Sequence, residues 1–165
     1  MANDFDDLLE ANRSWAADFS HEGTPGVAGA GVVILTCMDS RIDPLAILGL
    51  GIGDAKVVRN PGGQASPEAM EALVLAANLL QAHRIMVIPH TRCAMGSATL
   101  EEMRQRVSDA AGQDASWQEF SVVSDQRARL ADDVHRIAAH PLIGEGVTVG
   151  GFVYDVDTGL LEQVV

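Results

Sequence analysis

The stretch Gly31-Val32-Val33-Ile34-Leu35-Thr36-Cys37-Met38-Asp39-Ser40-Arg41 decides the fold prediction, because an apolar run ends in it abruptly. The first five residues are short, apolar and rich in β-branched side chains, which predicts a buried strand. A thiol, a carboxylate and a guanidinium then follow at alternate positions, on Cys37, Asp39 and Arg41. In open α/β sheets ligands bind at the carboxyl ends of the strands, so these three side chains are candidate site residues.

A second apolar run, Arg84 to Pro89, ends in His90-Thr91-Arg92-Cys93. If the two runs are neighbouring parallel strands, Cys37 and His90 emerge at the same edge of the sheet, and Cys93 follows three residues later. Zinc accepts two cysteines and one histidine with its fourth position open to water or substrate. The sequence therefore predicts Zn²⁺ on Cys37, His90 and Cys93. A disulfide between the two cysteines, or two inert buried thiols, is the alternative.

The residues beside this ligand set suggest a reaction. Zinc lowers the pKa of a bound water to about 7 and so supplies hydroxide for attack on a small electrophilic carbon. Asp39 and Arg41 project to the same side of an extended chain and can form a charge-assisted pair, which makes them the candidate catalytic residues. Asp39 has two predicted positions, either held by Arg41 or bound to zinc as a fourth ligand that blocks catalysis. An ordinary salt bridge closing a turn is the alternative.

A glycine loop follows the next predicted strand, Asp54 to Val58. This loop, Arg59-Asn60-Pro61-Gly62-Gly63, lies at the same edge as the zinc ligands if all three strands are parallel. Its small residues allow the backbone to approach a ligand closely, so Gly62 and Gly63 are candidate substrate-binding residues. A plain tight turn is the alternative.

The pattern of the remaining chain completes an α/β fold. It predicts a central, mainly parallel β-sheet flanked by helices, with a C-terminal hairpin, in a single domain over residues 1–165. Residues 1–20 form an N-terminal helical arm, which packs either on its own core or on a second subunit. The predicted helices are Asn3 to about Phe19, Leu45 to Leu50, Pro67 to Leu80, Ser97 to about Val107, and one or two over Trp117 to Ala139; the hairpin covers Val147 to Val165.

Composition limits the possible partners and location. The formal net charge of −12 argues against a nucleic-acid surface and against attraction to anionic lipid. The start of the chain lacks the features of a signal peptide, and no apolar tract is long enough to span a bilayer. Only two cysteines are present, which favours a reducing compartment. We therefore expect a cytoplasmic protein that acts on a small molecule.

Five short motifs, taken in order, resemble the β-class carbonic anhydrases. Each motif is weak by itself, but the ordered set covers most of the chain at the family's usual distances. The motifs are Cys37-Met38-Asp39-Ser40-Arg41, Arg59-Asn60-Pro61-Gly62-Gly63, His90-Thr91-Arg92-Cys93, Gly151-Phe152-Val153-Tyr154-Asp155 and Thr158-Gly159.

The resemblance implies both a reaction and an assembly. It implies zinc on Cys37, His90 and Cys93, an Asp39–Arg41 dyad and the β-carbonic anhydrase fold. The implied reaction is reversible hydration of carbon dioxide to bicarbonate and a proton by hydroxide on the zinc. The implied assembly is a homodimer or a dimer of dimers, with active sites at the subunit interface.

Four positions depart from the family pattern, and two other functions stay open. Arg92 and Ala94 flank the second cysteine where the family usually has an acid and a glycine, and Pro61 and Pro89 replace common small residues. Arg92 adds a positive charge that either favours an anionic product or pairs with a surface acid. Hydrolysis of carbonyl sulfide or carbon disulfide on the same site is one alternative. A non-catalytic protein with a structural zinc is the other.

Overall fold

A five-stranded sheet forms the centre of the structure, a computed structural model that describes residues 4–165. The strands are β1 (Val32–Cys37), β2 (Ala55–Asn60), β3 (Arg84–Ile88), β4 (Thr148–Tyr154) and β5 (Leu161–Gln163). Their order in the sheet is β2-β1-β3-β4-β5; the first four pair in parallel and β5 pairs with β4 in antiparallel fashion. The α/β class, the mainly parallel sheet and the C-terminal hairpin are therefore confirmed.

The strand register brings the predicted site residues to one edge. β1 lies between β2 and β3, with Cys37 opposite Asn60 and Thr36 opposite Ile88. The Thr36 hydroxyl donates to the Ile88 carbonyl at 2.7 Å, which ties the ends of the two ligand-bearing strands together. His90 then forms an isolated bridge with Tyr154 of β4. Three parallel strands thus end beside one another.

Within residues 4–165, one α-helix precedes the sheet, and three α-helices and two short 3₁₀ turns connect its strands. The helices are α1 (Asp6–Ala17), α2 (Pro67–Leu79), α3 (Leu100–Ala111) and α4 (Gln126–Ala138); the 3₁₀ turns are Ala46–Leu48 and Ala94–Gly96. Ser66 caps α2 by accepting from Ala69 N–H, with Pro67 in the first helical position, as the sequence predicts. Thr99 and Glu102 form a capping box at the start of α3.

The sheet has an apolar layer on each face. α2 and α4 cover one face, where Leu73 and Leu130 pack with Val33 and Leu35 in the larger core cluster. On the other face, Ile34 packs in a second cluster with side chains from residues 42–50. All six residues of β1 are buried, as expected for a central parallel strand.

The prediction of helix over Trp117 to Ala139 is wrong in its first part, because only Gln126–Ala138 is helical. Residues 117–125 instead bond to other loops: Val123 N–H donates to the Met95 carbonyl at 2.7 Å, and the Ser121 carbonyl accepts from the Gln64 side chain at 2.6 Å. Asp125 then caps α4 by accepting from Ala128 N–H. Tertiary hydrogen bonds thus replace the helical ones in this segment.

Three other predicted elements need correction. The short helix over Leu45 to Leu50 is only the turn Ala46–Leu48, because Gly49 adopts a left-handed conformation. α3 continues past Val107 to Ala111, where left-handed Gly112 ends it. Asn3, the predicted start of the arm, lies outside the described residues. α1 buries no residue within its own chain, which favours the alternative in which the arm packs on a second subunit.

Candidate metal centre

Cys37, His90 and Cys93 lie together at the carboxyl edge of the sheet. Their side-chain donor atoms all lie within 4.8 Å of one another, and the two sulfurs are 4.0 Å apart. Cys37 is the last residue of β1, His90 follows β3 by two residues, and Cys93 precedes the second 3₁₀ turn. All three are buried. Both cysteines are free thiols, so the alternative of a disulfide between them is not supported.

The His90 ring is oriented by its own loop. Its Nδ1 lies 2.9 Å from the Thr91 carbonyl, and since a carbonyl can only accept, Nδ1 carries the proton. In the neutral ring Nε2 is then the unprotonated nitrogen, and it lies beside the two sulfurs. Within residues 4–165 it is the buried side-chain nitrogen or oxygen that has no hydrogen-bond partner. A buried polar atom left unpaired costs free energy, so this arrangement indicates a missing ligand.

The donor set fits zinc. Two sulfurs and one imidazole nitrogen are the ligands of catalytic zinc sites that keep a fourth position open, and thiolates select zinc over magnesium or calcium. The Nδ1 contact to the Thr91 carbonyl is the kind of outer interaction that fixes a ligating histidine. The three residues would therefore hold the ion through Sγ of Cys37, Nε2 of His90 and Sγ of Cys93.

The two thiols share their protons unequally in the metal-free chain. The hydrogen bond from the Cys93 thiol lowers the pKa of Cys37, with smaller contributions from the neighbouring His90 ring and from Gly62 N–H, and outweighs the opposing effect of burial. The neighbouring Cys37 sulfur and burial both raise the pKa of Cys93. These opposite shifts favour the thiolate on Cys37 over that on Cys93 in the metal-free chain, and a metal bound to both sulfurs would require the second thiol to lose its proton as well.

Asp39 and Arg41 form the predicted pair beside this group. Arg41 holds both carboxylate oxygens, and its hydrogen bonds keep the pKa of Asp39 well below the usual range of a carboxyl. Asp39 Oδ2 lies 3.7 Å from His90 Nε2, too far for a hydrogen bond but adjacent to the donor group. The position of Asp39 in the structure is therefore the one held by Arg41.

The glycine loop packs against the first ligand. Gly62 N–H donates to Cys37 Sγ at 3.3 Å. Gly63 has a φ of +63°, and a Cβ on it would lie 2.9 Å from Cys37 N and from the Thr36 carbonyl carbon. The positive φ of Gly63 and the clash of an added Cβ both require glycine at position 63. The clash cannot be relieved easily, because the atoms it would meet belong to the backbone and not to a flexible side chain. The loop therefore contacts the metal ligand directly.

Three further side chains support the site and were not predicted. Arg59 donates to the Cys37 and Asp39 carbonyls at 2.9 and 2.7 Å. Gln126 donates to the His90 carbonyl at 2.9 Å. Asp133 accepts from the backbone N–H of Ala65, just after the glycine loop. Arg59 could have been suspected from its place at a strand end, but nothing local marks the other two.

The four residues that depart from the family pattern have different surroundings in the structure. Arg92 adopts a left-handed conformation with φ of 55°, and its side chain pairs with Asp157, so it contacts a surface acid. Pro61 and Ala94 line the pocket at the donor group. The Pro89 carbonyl accepts from Tyr154 N–H at 2.9 Å.

A pocket of about 250 Å³ opens onto the donor group. Beyond the ligands and Asp39, its lining is apolar. A small uncharged molecule that enters the pocket therefore meets mainly apolar side chains beside the donor atoms. The apolar lining consists of Met38, Pro61, Ala94 and Met95.

Several known proteins are similar to this chain in sequence and in fold. A family model described as Carbonic anhydrase matches residues 32–161. Beta-carbonic anhydrase 1 of Mycobacterium tuberculosis is 31% identical over 162 residues, which cover 96% of this chain and 96% of that protein. A crystal structure of carbonic anhydrase from Streptococcus mutans gives a TM-score of 0.89 at 31% identity and covers 100% of this chain and 99% of that one.

A protein with a different activity is also similar. Carbon disulfide hydrolase of Acidithiobacillus thiooxidans is 30% identical over 150 residues. The match covers 78% of this chain and 74% of that protein. Similarity of sequence thus extends to more than one reaction.

Proposed function

Because the chain belongs to the β-carbonic anhydrase family, and is thereby a zinc enzyme that reversibly hydrates carbon dioxide, we propose that Cys37, His90 and Cys93 hold its zinc. The observation that carries this assignment is the buried Nε2 of His90, which has no hydrogen-bond partner and faces two sulfurs. When bound, zinc supplies the Lewis acidity that lowers the pKa of a water molecule to about 7. Family membership also favours an enzyme over a protein with a structural zinc.

Asp39 and Arg41 orient the attacking water in this proposal. The ionised Asp39 carboxylate accepts a hydrogen bond from the water, so that an oxygen lone pair is directed at the carbon of carbon dioxide. Arg41 keeps Asp39 ionised and holds it in place through two hydrogen bonds. Water and carbon dioxide give bicarbonate and one proton. The second predicted position of Asp39, as a fourth zinc ligand, requires both bonds to Arg41 to break and stays a prediction.

The apolar pocket admits the substrate. Met38, Pro61, Ala94 and Met95 offer carbon dioxide, a small linear molecule without charge, an environment from which water is partly excluded. The substrate-binding role expected for Gly62 and Gly63 stays a prediction. It would have to use their backbone atoms, since neither residue has a side chain.

A metal analysis combined with an activity assay tests the ligand assignment. We expect about one zinc per chain in the purified protein and carbon dioxide hydration in stopped flow. His90→Ala should lose both, because one of three ligands is removed. His135→Ala is the matched control, since His135 is exposed on α4 and should change neither. A His90→Ala protein that retains stoichiometric zinc would contradict the assignment.

Hydrolysis of carbon disulfide or carbonyl sulfide is the second candidate, favoured by the similarity to carbon disulfide hydrolase. Both molecules are linear and uncharged like carbon dioxide, and the same oriented water could attack their carbon. Sulfide release measured beside carbon dioxide hydration, on one zinc-loaded sample, separates the two functions. Sulfide release without hydration would favour the second.

We further propose that the chain works as a homodimer, or as a dimer of dimers, in the cytoplasm. α1 buries no residue of its own chain, while Leu8, Trp15 and Phe19 on the arm are exposed. A second copy is the partner that the family resemblance implies for this face.

Within residues 4–165, no helix combines the length and apolar character needed to cross a membrane. That residues 1–165 form one domain stays a prediction, which the spread of one sheet over most of the chain supports.

A further inference from the structure

Asp133 is a buried carboxylate that the proposed zinc chemistry does not use directly. It lies in α4, is 1% exposed, and is the one acidic residue among the buried residues of the described chain. A buried charge is costly unless it is paired and hydrogen-bonded. Its partners therefore indicate what the carboxylate does.

The two oxygens of Asp133 have different partners. Oδ1 accepts from Arg129 Nε at 2.9 Å and from Arg136 Nη1 at 3.2 Å, which lie one helical turn before and after it. These arginines balance the charge and fix the orientation of the carboxylate. Oδ2 is thereby directed away from the helix, where it accepts from Ala65 N–H at 3.0 Å. A helix thus holds a loop amide 68 residues away in sequence.

That amide lies two residues after the glycine loop. Within the loop, Gly62 N–H donates to Cys37 Sγ at 3.3 Å. A cavity of about 10 Å³ lies between α4 and the loop, lined by Gly62, Cys93 and Asp133 among others. The carboxylate and the loop therefore lie beside both sulfurs, Cys93 across this cavity and Cys37 through its bond from Gly62 N–H.

We propose that Asp133 is a positioning residue for the zinc centre: by holding Ala65 N–H it keeps the glycine loop closed, so that Gly62 N–H stays bonded to the Cys37 sulfur. The inference rests on the proposed function, because it takes Cys37 as a zinc ligand. An N–H bond to a thiolate draws electron density from the sulfur and fixes its direction. Outer interactions of this kind tune metal affinity and reactivity. Without its anchor the loop can move away from Cys37.

Asp133→Asn tests the proposal in the cobalt-substituted protein. An amide is neutral and cannot accept through both ends, so it cannot serve the arginines and Ala65 N–H together. We expect the thiolate-to-cobalt charge-transfer bands to shift and zinc affinity, measured by chelator competition, to fall about tenfold. Asp132→Asn is the matched control: it removes the same charge from the adjacent exposed position of α4 and should leave bands and affinity as in the wild type.

The outcomes separate this inference from the assignment of the metal site. A folded Asp133→Asn protein with unchanged bands and unchanged affinity overturns the positioning role, even if its melting temperature falls. A wild-type protein that binds neither cobalt nor zinc overturns the proposed function instead. If Asp133→Asn does not fold, Arg129→Gln replaces it, because Arg129 is partly exposed and orients the carboxylate. Arg129→Gln should shift the thiolate-to-cobalt bands in the direction expected for Asp133→Asn, but by a smaller amount. Unchanged bands in Arg129→Gln would overturn the proposal.

Discussion

The Arg41 guanidinium donates hydrogen bonds to both carboxylate oxygens of Asp39, from Nε to Oδ1 at 2.9 Å and from Nη2 to Oδ2 at 2.7 Å. The backbone N–H of Arg41 also donates to Oδ1 at 3.0 Å, so one residue supplies three hydrogen bonds to one carboxylate. Nη2 additionally lies 3.5 Å from the Arg92 carbonyl, next to Cys93. Arg41 thus links the loop after β1 to the loop that carries the other two proposed zinc ligands, His90 and Cys93.

Replacing Arg41 should impair turnover while leaving the metal in place. In Arg41→Ala, Asp39 loses both side-chain bonds and is free to move toward the donor group. We expect kcat/KM for carbon dioxide to fall about 100-fold, the order found when a catalytic group is misplaced. Arg41→Lys keeps the charge but not the planar fork, so it should recover only part of the loss. Stopped-flow hydration, with zinc content measured on the same samples, gives the result.

Arg127→Ala is the control for the Arg41 variants. Arg127 pairs with Glu162 on the surface, where both side chains are more than half exposed, and such pairs contribute little to stability. This variant should keep the wild-type kcat/KM. The proposed role of Arg41 would be wrong if Arg41→Ala, with full zinc, were as active as Arg127→Ala.

The metal-free protein should contain one thiolate at neutral pH. The Cys93 thiol donates to Cys37 and holds the pKa of Cys37 well below the ordinary thiol range, so we expect ultraviolet thiolate absorbance to persist below neutral pH. Cys93→Ala removes that donor, and the pKa of Cys37 should rise toward the ordinary thiol range. The thiolate signal should then disappear at a higher pH than in the wild type.

Cys37→Ala provides the converse sample. Its remaining thiol, Cys93, is buried, which disfavours the thiolate, so little absorbance is expected at pH 7. Equal absorbance at pH 7 in the two single variants would contradict the unequal sharing of protons. Zinc addition to the wild type should release about one further proton, since both sulfurs must be deprotonated to bind.

The proposed zinc ligands could be predicted because each lies at the end of a strand or within five residues after it. The ends of β1 and β3 are visible in the sequence as apolar runs that stop at Cys37 and shortly before His90. Parallel pairing then brings these ends together without knowledge of any other contact. The Asp39–Arg41 pair is equally local, since the two residues are two positions apart.

The supporting residues could not be predicted in this way because their contacts are long-range. Asp133 reaches Ala65 from 68 residues away, and Gln126 reaches the His90 carbonyl from 36 residues away. Gln126 also begins α4 at a point that the sequence pattern placed inside a longer helix. The apolar and charged alternation of 117–125 resembles a helix, but its backbone groups bond to Met95 and Gln64. Whether residues 117–125 form helical hydrogen bonds or bond to Met95 and Gln64 depends on the tertiary fold, which the local sequence pattern does not show.

Gly63 should tolerate alanine far less than Gly112 does, although both have a φ of +63°. At Gly112 no atom lies within 4 Å of the added Cβ, so Gly112→Ala should cost only the conformational penalty of about 1 kcal/mol. At Gly63 the added Cβ would overlap the Thr36–Cys37 backbone, and the total cost should be about 3 kcal/mol. Urea unfolding of the metal-free variants measures both, and equal losses would contradict the close packing of loop and ligand strand.

Trp15→Glu should dissociate the proposed dimer. Trp15 lies on α1, is 54% exposed within its own chain and contacts the Phe19 ring in a tilted arrangement with ring centroids 4.9 Å apart. Phe19 also contacts the His21 ring, and the Trp15–Phe19 pair forms an exposed apolar surface. Burying a carboxylate there against a second copy would be costly, and light scattering coupled to size exclusion should show a smaller mass than for the wild type. Trp117→Glu is the matched control, because Trp117 is 74% exposed but lies outside the arm, and it should keep the wild-type mass. Equal masses for all three proteins would show that the arm does not hold the assembly together.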